Sequence, residues 1–275
     1  MKYPVRMLCR GLGVSPSGYY AWCKRPPSAR AQANAQLLAA AKQEYQASRQ
    51  TYGSPRVHQA LLRLGYRCGR HRVARLMRRE GLCGVPRRKY VRTTQRAAGQ
   101  TAAPDRLQRD FSADAPNRKW VSDITYIPTR QGWLYLASVL DLYSRRVVGW
   151  AMAEHMRDEL VLQALSMAYV QRGAPTGLIY HSDHGSQYTS SRVQAWLAEH
   201  GIQASMGSVG DCYDNAVMES FHSILKREGV PKQAYATRRQ ARTHIFEFLE
   251  VFYNRHRLHS TLGYRTPVEY EEQQL

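Results

Sequence analysis

The chain has 275 residues, a mass of 31.5 kDa and a formal charge of +19, enough length for two domains and too basic for a basic partner. Residues 1–100 hold 21 Lys/Arg against 2 Asp/Glu, and the remaining residues hold 19 of each, so the whole excess lies in the first third. That asymmetry points to a polyanion, nucleic acid before membrane surface, and the absence of a long apolar run or a signal-type h-region excludes a membrane-spanning or exported chain. Five scattered cysteines without a C-x-x-C pair fit reduced thiols and a cytoplasmic, nucleoid-associated location, and Cys68-x-x-His71 is half a zinc site with no second half.

In chain order, residues 5–23 (VRMLCRGLGVSPSGYYAWC) read as two short helices around a turn with Gly11 and Gly13, the pattern of a helix-turn-helix. A helix from about Ala33 to Ser48 follows. In YGSPRVHQALLRLGYRCGRHRVARLMRREGL, Val57, Leu61, Leu62 and Leu64 form one apolar stripe, Gly65 ends it, and Val73, Leu76 and Met77 begin another. Arg70, Arg72, Arg75, Arg78 and Arg79 coat the second of these helices, which suits DNA phosphates or a groove. The alternative is a solvated helix face. Residues 1–85 thus form a basic helical DNA-binding domain, and residues 86–117, rich in Ala, Thr, Gln and Arg, read as a linker.

From residue 118 the chain changes character. WVSDITYI, GWLYLASVLDL and RVVGWAM predict three antiparallel strands. A helix over Asp158–Gln171, the strand GLIYHS, a helix over Ser190–His200, the strand IQASM and helices over about Asn215–Glu228 and Thr237–Asn254 complete residues 118–275. The fold class is α/β, a mixed sheet flanked by helices, preceded by the all-helical basic domain.

Three acids stand out. Asp123 sits inside a strand, where a charge needs a reason; Asp183 follows a strand in YHSDHGSQY; Glu219 lies on a helix, off its apolar stripe, with His222 and Lys226 on the same face. Carboxylates on framework elements suit a pair of Mg²⁺ ions, which prefer hard oxygen ligands. Taken singly, Asp183 also reads as a turn or cap residue and Glu219 as a solvated helix residue.

Spacing and context separate these readings. Thirty-five residues lie between Asp183 and Glu219, and WVSDITYI, LYLASVLDLYSRRVVGW, HSDHGSQYTS, DNAVMESFHSILK and YNRHRLHSTLGYRTPVEY occur in the order of the blocks of integrase-like insertion-sequence transposases. The chain resembles the second-reading-frame (OrfB-type) transposases whose catalytic core is similar to that of retroviral integrases. The resemblance covers nearly the whole chain. It implies a ribonuclease H-like fold, Asp123, Asp183 and Glu219 as catalytic, metal-binding residues, and two Mg²⁺ ions, with Mn²⁺ as substitute. It also implies strand cleavage at the element's 3′ ends followed by attack of the freed 3′-OH on another phosphodiester.

Around the triad, Lys226 is placed to hold a phosphate or is simply solvated. Asn215 caps the helix or touches DNA, with capping preferred. His181 and His184 flank Asp183, to orient water or substrate or to serve as hydrogen-bonding supports, and neither is read as a general base. Asp141 reads as a turn residue paired with Arg145 or Arg146, and Tyr126, Trp133 and Trp150 read as core in preference to base-stacking surfaces. The cluster Tyr253, Arg255, His256, Arg257 and His259 suits phosphate contact or packing beside the site. The partners implied are transposon ends and target DNA, a second copy in at least a dimer, and an upstream-frame product or fusion, since no leucine heptad run is present and the chain opens at its own Met1. The viral integrases' zinc-binding His/Cys domain is missing too. Two alternatives are a nuclease of the same fold that does not join strands and a DNA-binding regulator with an inert core.

Overall fold

The computed structural model describes residues 3–86, 103–207 and 215–273, in two compact units divided after Gly84. The first unit is helical: α1 (Val5–Gly11), α2 (Pro16–Lys24), α3 (Ala29–Ala47), α4 (Ser54–Arg63) and α5 (Arg70–Arg79). Its core is built by α3, α4 and α5, where Leu37, Leu38, Ala41, Val57, Leu61, Val73, Leu76 and Met77 are buried. The stripe on α4 is narrower than the sequence pattern, because Leu62 and Leu64 are exposed and Ala60 takes the inward position. Gly65, at φ 85°, turns the chain out of α4 in a conformation a Cβ would oppose.

The second unit carries a five-stranded mixed sheet in the order β3-β2-β1-β4-β5. Strands β1 (Lys119–Thr129), β2 (Gly132–Asp141) and β3 (Val147–Ala153) run antiparallel; β4 (Ile179–Ser182) and β5 (Gln203–Met206) run parallel to β1 and to each other. Helices α6 (Asp158–Gln171) and α7 (Ser191–Glu199) form one core with the sheet, through Trp120, Ala137, Val139, Leu160, Ala164, Leu165, Tyr180, Val193 and Leu197. Strand β4 pairs β1 only from Lys119 to Val121, so β1 runs on past its neighbour from residue 122.

Helix α8 (Ala216–Ile224) packs on β1 and continues as a π-helical turn, Leu225–Gly229; α9 (Arg238–Phe246) continues in the same way as Glu247–Tyr253. The two helices expected here are therefore α-helical for only part of their length. α10 (Pro267–Glu272) opens with a full capping box between Thr266 and Glu269. The linker reading holds less of the chain than expected: Leu107 is buried and the Arg106 amide donates to Ser205 Oγ at 2.9 Å, while residues 87–102 lie outside the described residues. Among the described residues no helix is long and apolar enough to cross a membrane.

Candidate active site

Asp123 lies in the middle of β1 opposite Ser138 of β2, and both face α8. His222 on α8 joins them, its Nδ1 3.4 Å from Asp123 Oδ2 and its Nε2 3.5 Å from Ser138 Oγ. An apolar stripe of Met218, Phe221 and Leu225 seats the helix on the sheet and brings His222 to the strand acid.

Asp183 follows the last residue of β4. One of its oxygens accepts from the Gly185 amide at 3.0 Å, so the turn expected of it exists. Asp183 is nevertheless pushed up to about 6, first by the surrounding protein, which desolvates its charge although the residue is exposed, and then by the negative charge of Asp123. Gly185, His184 and His222 oppose that shift. A carboxylate inside β1 and one just past the end of β4 thus lie close enough for the charge of the first to act on the second.

Glu219 is exposed on α8, one turn before His222 on the same face. Among the described residues no three His, Cys, Asp or Glu side chains are close enough to share one metal ion, so the structure does not gather all three acids into one cluster. Lys226 lies in the π-helical turn. Burial lowers its pKa and Asp123 raises it, and its Nζ stands 4.6 Å from the centroid of Tyr126.

The flanking residues differ from expectation in several places. Asn215 occupies the N-cap position of α8 but makes no side-chain cap; buried, it donates from Nδ2 to the Ser122 carbonyl at 3.2 Å and ties the helix to β1. His181 is buried against Ser205 Oγ at 2.9 Å, whereas His184 contacts the Gly207 carbonyl through Nε2. Asp141 is fully buried and does not pair with the Arg145 or Arg146 side chain. It accepts from the Asn117 and Tyr143 amides at 2.7 and 2.8 Å and lies 3.7 Å from Arg172. The turn half of the reading stands, since Asp141 accepts from the amide two residues on, while its countercharge comes from a distant helix rather than from Arg145 or Arg146. Trp150 is half-buried with Nε1 on Glu250 at 2.7 Å, but Tyr126 and Trp133 are each 49% exposed, contrary to the core reading.

In the C-terminal cluster, Arg257 is 1% exposed and clamps Glu228 with two bonds of 2.7 and 2.8 Å. Tyr253 and His259 are buried too, so these three pack beside the site while Arg255 and His256 face solvent. The Glu228 end of this pair is two residues from Lys226, and sequence reading missed it because a helical glutamate seldom announces a buried partner. In the first unit, Arg70, Arg75, Arg78 and Arg79 are exposed, whereas Arg72 donates to Asn34 Oδ1 at 2.8 Å. Arg79 lies 3.5 Å from Glu80.

Comparison with known proteins gives three family matches: an HTH-like domain over residues 32–90 and integrase core domains over residues 113–212 and 200–267. The HTH-like match falls on α3–α5 rather than on residues 5–23. The transposase InsF for insertion sequence IS3A of Escherichia coli (strain K12) is 39% identical over the whole chain and 96% of its own length. An insertion element IS600 uncharacterized 31 kDa protein of Shigella sonnei is 41% identical over 96% of this chain and 97% of its own. Among solved structures, a simian T-cell lymphotropic virus intasome in complex with PP2A regulatory subunit B56 gamma has a TM-score of 0.46 at 15% identity, covering 78% of this chain and 70% of that one. The HTLV-2 integrase catalytic core domain in complex with magnesium has a TM-score of 0.42 at 15% identity, covering 58% of this chain and 99% of that one.

Proposed function

The chain belongs to the IS3-family insertion-sequence transposases, enzymes of DNA transposition with an integrase core, and from that premise we propose that Asp123, Asp183 and Glu219 are its catalytic carboxylates. The observation that carries the proposal is the closeness of two acids distant in sequence: Asp123, inside β1, lies near enough to Asp183, just past the end of β4, for its negative charge to add to the desolvation that raises the Asp183 pKa. Such a pair is unfavourable alone and favourable around a hard cation. Its donors are carboxylate oxygens, the set that divalent magnesium prefers. Asp123 and Asp183 would hold the metal, with Glu219 as third ligand and two ions in all. When bound, the ions supply activation of the attacking oxygen and neutralisation of charge on the leaving oxygen.

The chain's own residues do the rest by position. His222, held between Ser138 and Asp123, orients the strand carboxylate. The Asn215 bond to Ser122 sets the start of α8, and so Glu219, against the residue next to Asp123. Lys226 is a compact cation on the same helical face, suited to a phosphate beside the acids. Cleavage then frees a 3′-OH, and that hydroxyl attacks a second phosphodiester so that one P–O bond forms as another breaks. Joining balances without an outside energy source, and preorganised charge is the protein's main contribution.

Outside the core, the exposed Arg70, Arg75, Arg78 and Arg79 contact DNA phosphates at the element's ends. Synapsis of two ends calls for at least a dimer of this chain, and an upstream-frame product completes end recognition.

The test is a joining assay with supercoiled plasmid and a DNA end already cut to expose its 3′-OH. Asp183→Asn and Glu219→Gln should each lower Mg²⁺-dependent joining by about 10²–10³-fold or more, as the loss of one preorganised electrostatic group does, with DNA affinity within about twofold. Hydrolysis without any joined product would instead establish a nuclease. Joining undiminished in both variants would end the proposal.

A further inference from the structure

Tyr126 and Trp133 present their rings to solvent near the turn of the β1–β2 hairpin, at 49% exposure each. The rings meet edge to face, centroids 5.0 Å apart and planes at 75°. Tyr126 lies three residues beyond Asp123 on β1, along the stretch that β4 does not reach. The ammonium of Lys226, which senses the charge of Asp123, rests 4.6 Å from the Tyr126 centroid.

The hairpin that carries the rings is held firmly. Thr129 Oγ1 donates to the Gly132 carbonyl at 2.6 Å and accepts from the Gln131 amide at 3.2 Å. Arg238 donates to the Trp133 carbonyl at 3.3 Å and pairs with Glu154 at 2.7 Å. Two aromatic rings are therefore fixed at the turn end of the hairpin, and the cation against Tyr126 links them to Asp123, whose charge it senses.

An exposed aromatic pair suits either an apolar protein surface or a nucleobase, and the neighbouring charges choose between them. A protein surface laid over the rings would have to bury Lys226, at a desolvation cost with no new counterion. A nucleotide instead offers a flat π-face to the rings and an anionic phosphate to the ammonium in one ligand. Any base fits, because stacking does not read the hydrogen-bonding edge.

We propose that Tyr126 and Trp133 form a stacking platform for an unpaired nucleobase of the DNA, next to the reacting phosphodiester, with Lys226 meeting the adjoining phosphate. The proposal rests on reading Asp123 and Asp183 as the reacting centre. The platform takes a base out of its duplex stack, so single-stranded or frayed DNA is its ligand and fully paired DNA is not.

The experiment uses the full chain without added metal, at one salt concentration, with a short single-stranded oligonucleotide and a blunt duplex of the same length. Each probe carries 2-aminopurine at its 3′-terminal nucleotide. Tyr126→Ala and Trp133→Ala should each weaken single-strand affinity by roughly 5- to 150-fold, the range for losing a stacked base, and abolish the 2-aminopurine fluorescence change. Duplex affinity should stay within about twofold, and Tyr126→Phe and Trp133→Phe should restore single-strand binding. Unchanged single-strand binding in both alanine variants would overturn the proposal. Equal loss on both probes would overturn it too, as would a shift in sedimentation showing that the rings bind protein. Joining activity of the wild type in Mg²⁺ separates the two claims: joining with unchanged single-strand binding in the variants removes the platform alone. No joining, with selective single-strand loss, leaves the platform and removes the catalytic reading.

Discussion

In the helical unit, Arg70, Arg75 and Arg78 stand exposed on α5 with no carboxylate partner among the described residues, whereas in the sheet-bearing unit Arg257 is 1% exposed and closed on Glu228 by two short bonds. Arg172 repeats the second pattern, reaching Glu271 at 2.9 Å and Asp141 at 3.7 Å. One side-chain type is thus used in two ways. On α5 its charge is left to solvent and to whatever polyanion arrives; in the second unit it is matched inside the protein and tightens the frame around the acids. Net charge locates the first use and says nothing of the second, since matched pairs cancel.

Breaking a matched pair should have the largest effect. Arg257→Ala leaves Glu228 buried without its countercharge and should lower stability by about 3–5 kcal/mol, measured as a fall in the urea midpoint with an unchanged slope. Next comes the exposed set. Replacing Arg70, Arg75 and Arg78 together by Gln should reduce the salt dependence of DNA binding by about 2.7 decades of affinity per decade of salt, at about 0.9 for each phosphate no longer neutralised. Stability should stay within about 0.5 kcal/mol. Binding titrations between low and moderate salt read the slope, and an unaltered slope would show that α5 does not track phosphates. The smallest effect sharpens the division within a single helix: Arg72→Ala, which removes the bond to Asn34, should cost about 1.5 kcal/mol of stability, readable by thermal melting, and change the salt slope less than any one of the exposed arginines.

The sheet was legible because its information is local. Alternation and turn residues mark β1, β2 and β3, and an acid inside a β-forming run marks Asp123 as unusual from its immediate neighbours alone. Length and flanking turns likewise mark α6, α7, β4 and β5. What escaped depends on partners far along the chain. The buried state of Asp141 is set by Arg172 and by the Asn117 amide, and nothing near residue 141 announces either. Asn215 has the identity of a helix cap, yet its nitrogen reaches the Ser122 carbonyl of another element. Tyr126 and Trp133 sit in strand-like patterns that normally imply burial, yet they lie near the hairpin turn, past the last residue of β1 that β4 pairs. The π-helical turns escaped for a similar reason, since their sequences keep the composition of ordinary helices and tertiary packing sets the wider turn.

Gly229 closes one of those turns, and a Cβ built there would lie 2.7 Å from the ring of Phe248 on the neighbouring π-helical stretch. Two backbones therefore approach as closely as a ring allows, three residues from the lysine that faces the acids. A mutational scan scored by transposition would rank position 229 with the carboxylates, although it is buried and carries no side chain. Dividing activity by the folded fraction would return glycine to its actual part, a spacer whose missing side chain sets the clearance between two helices.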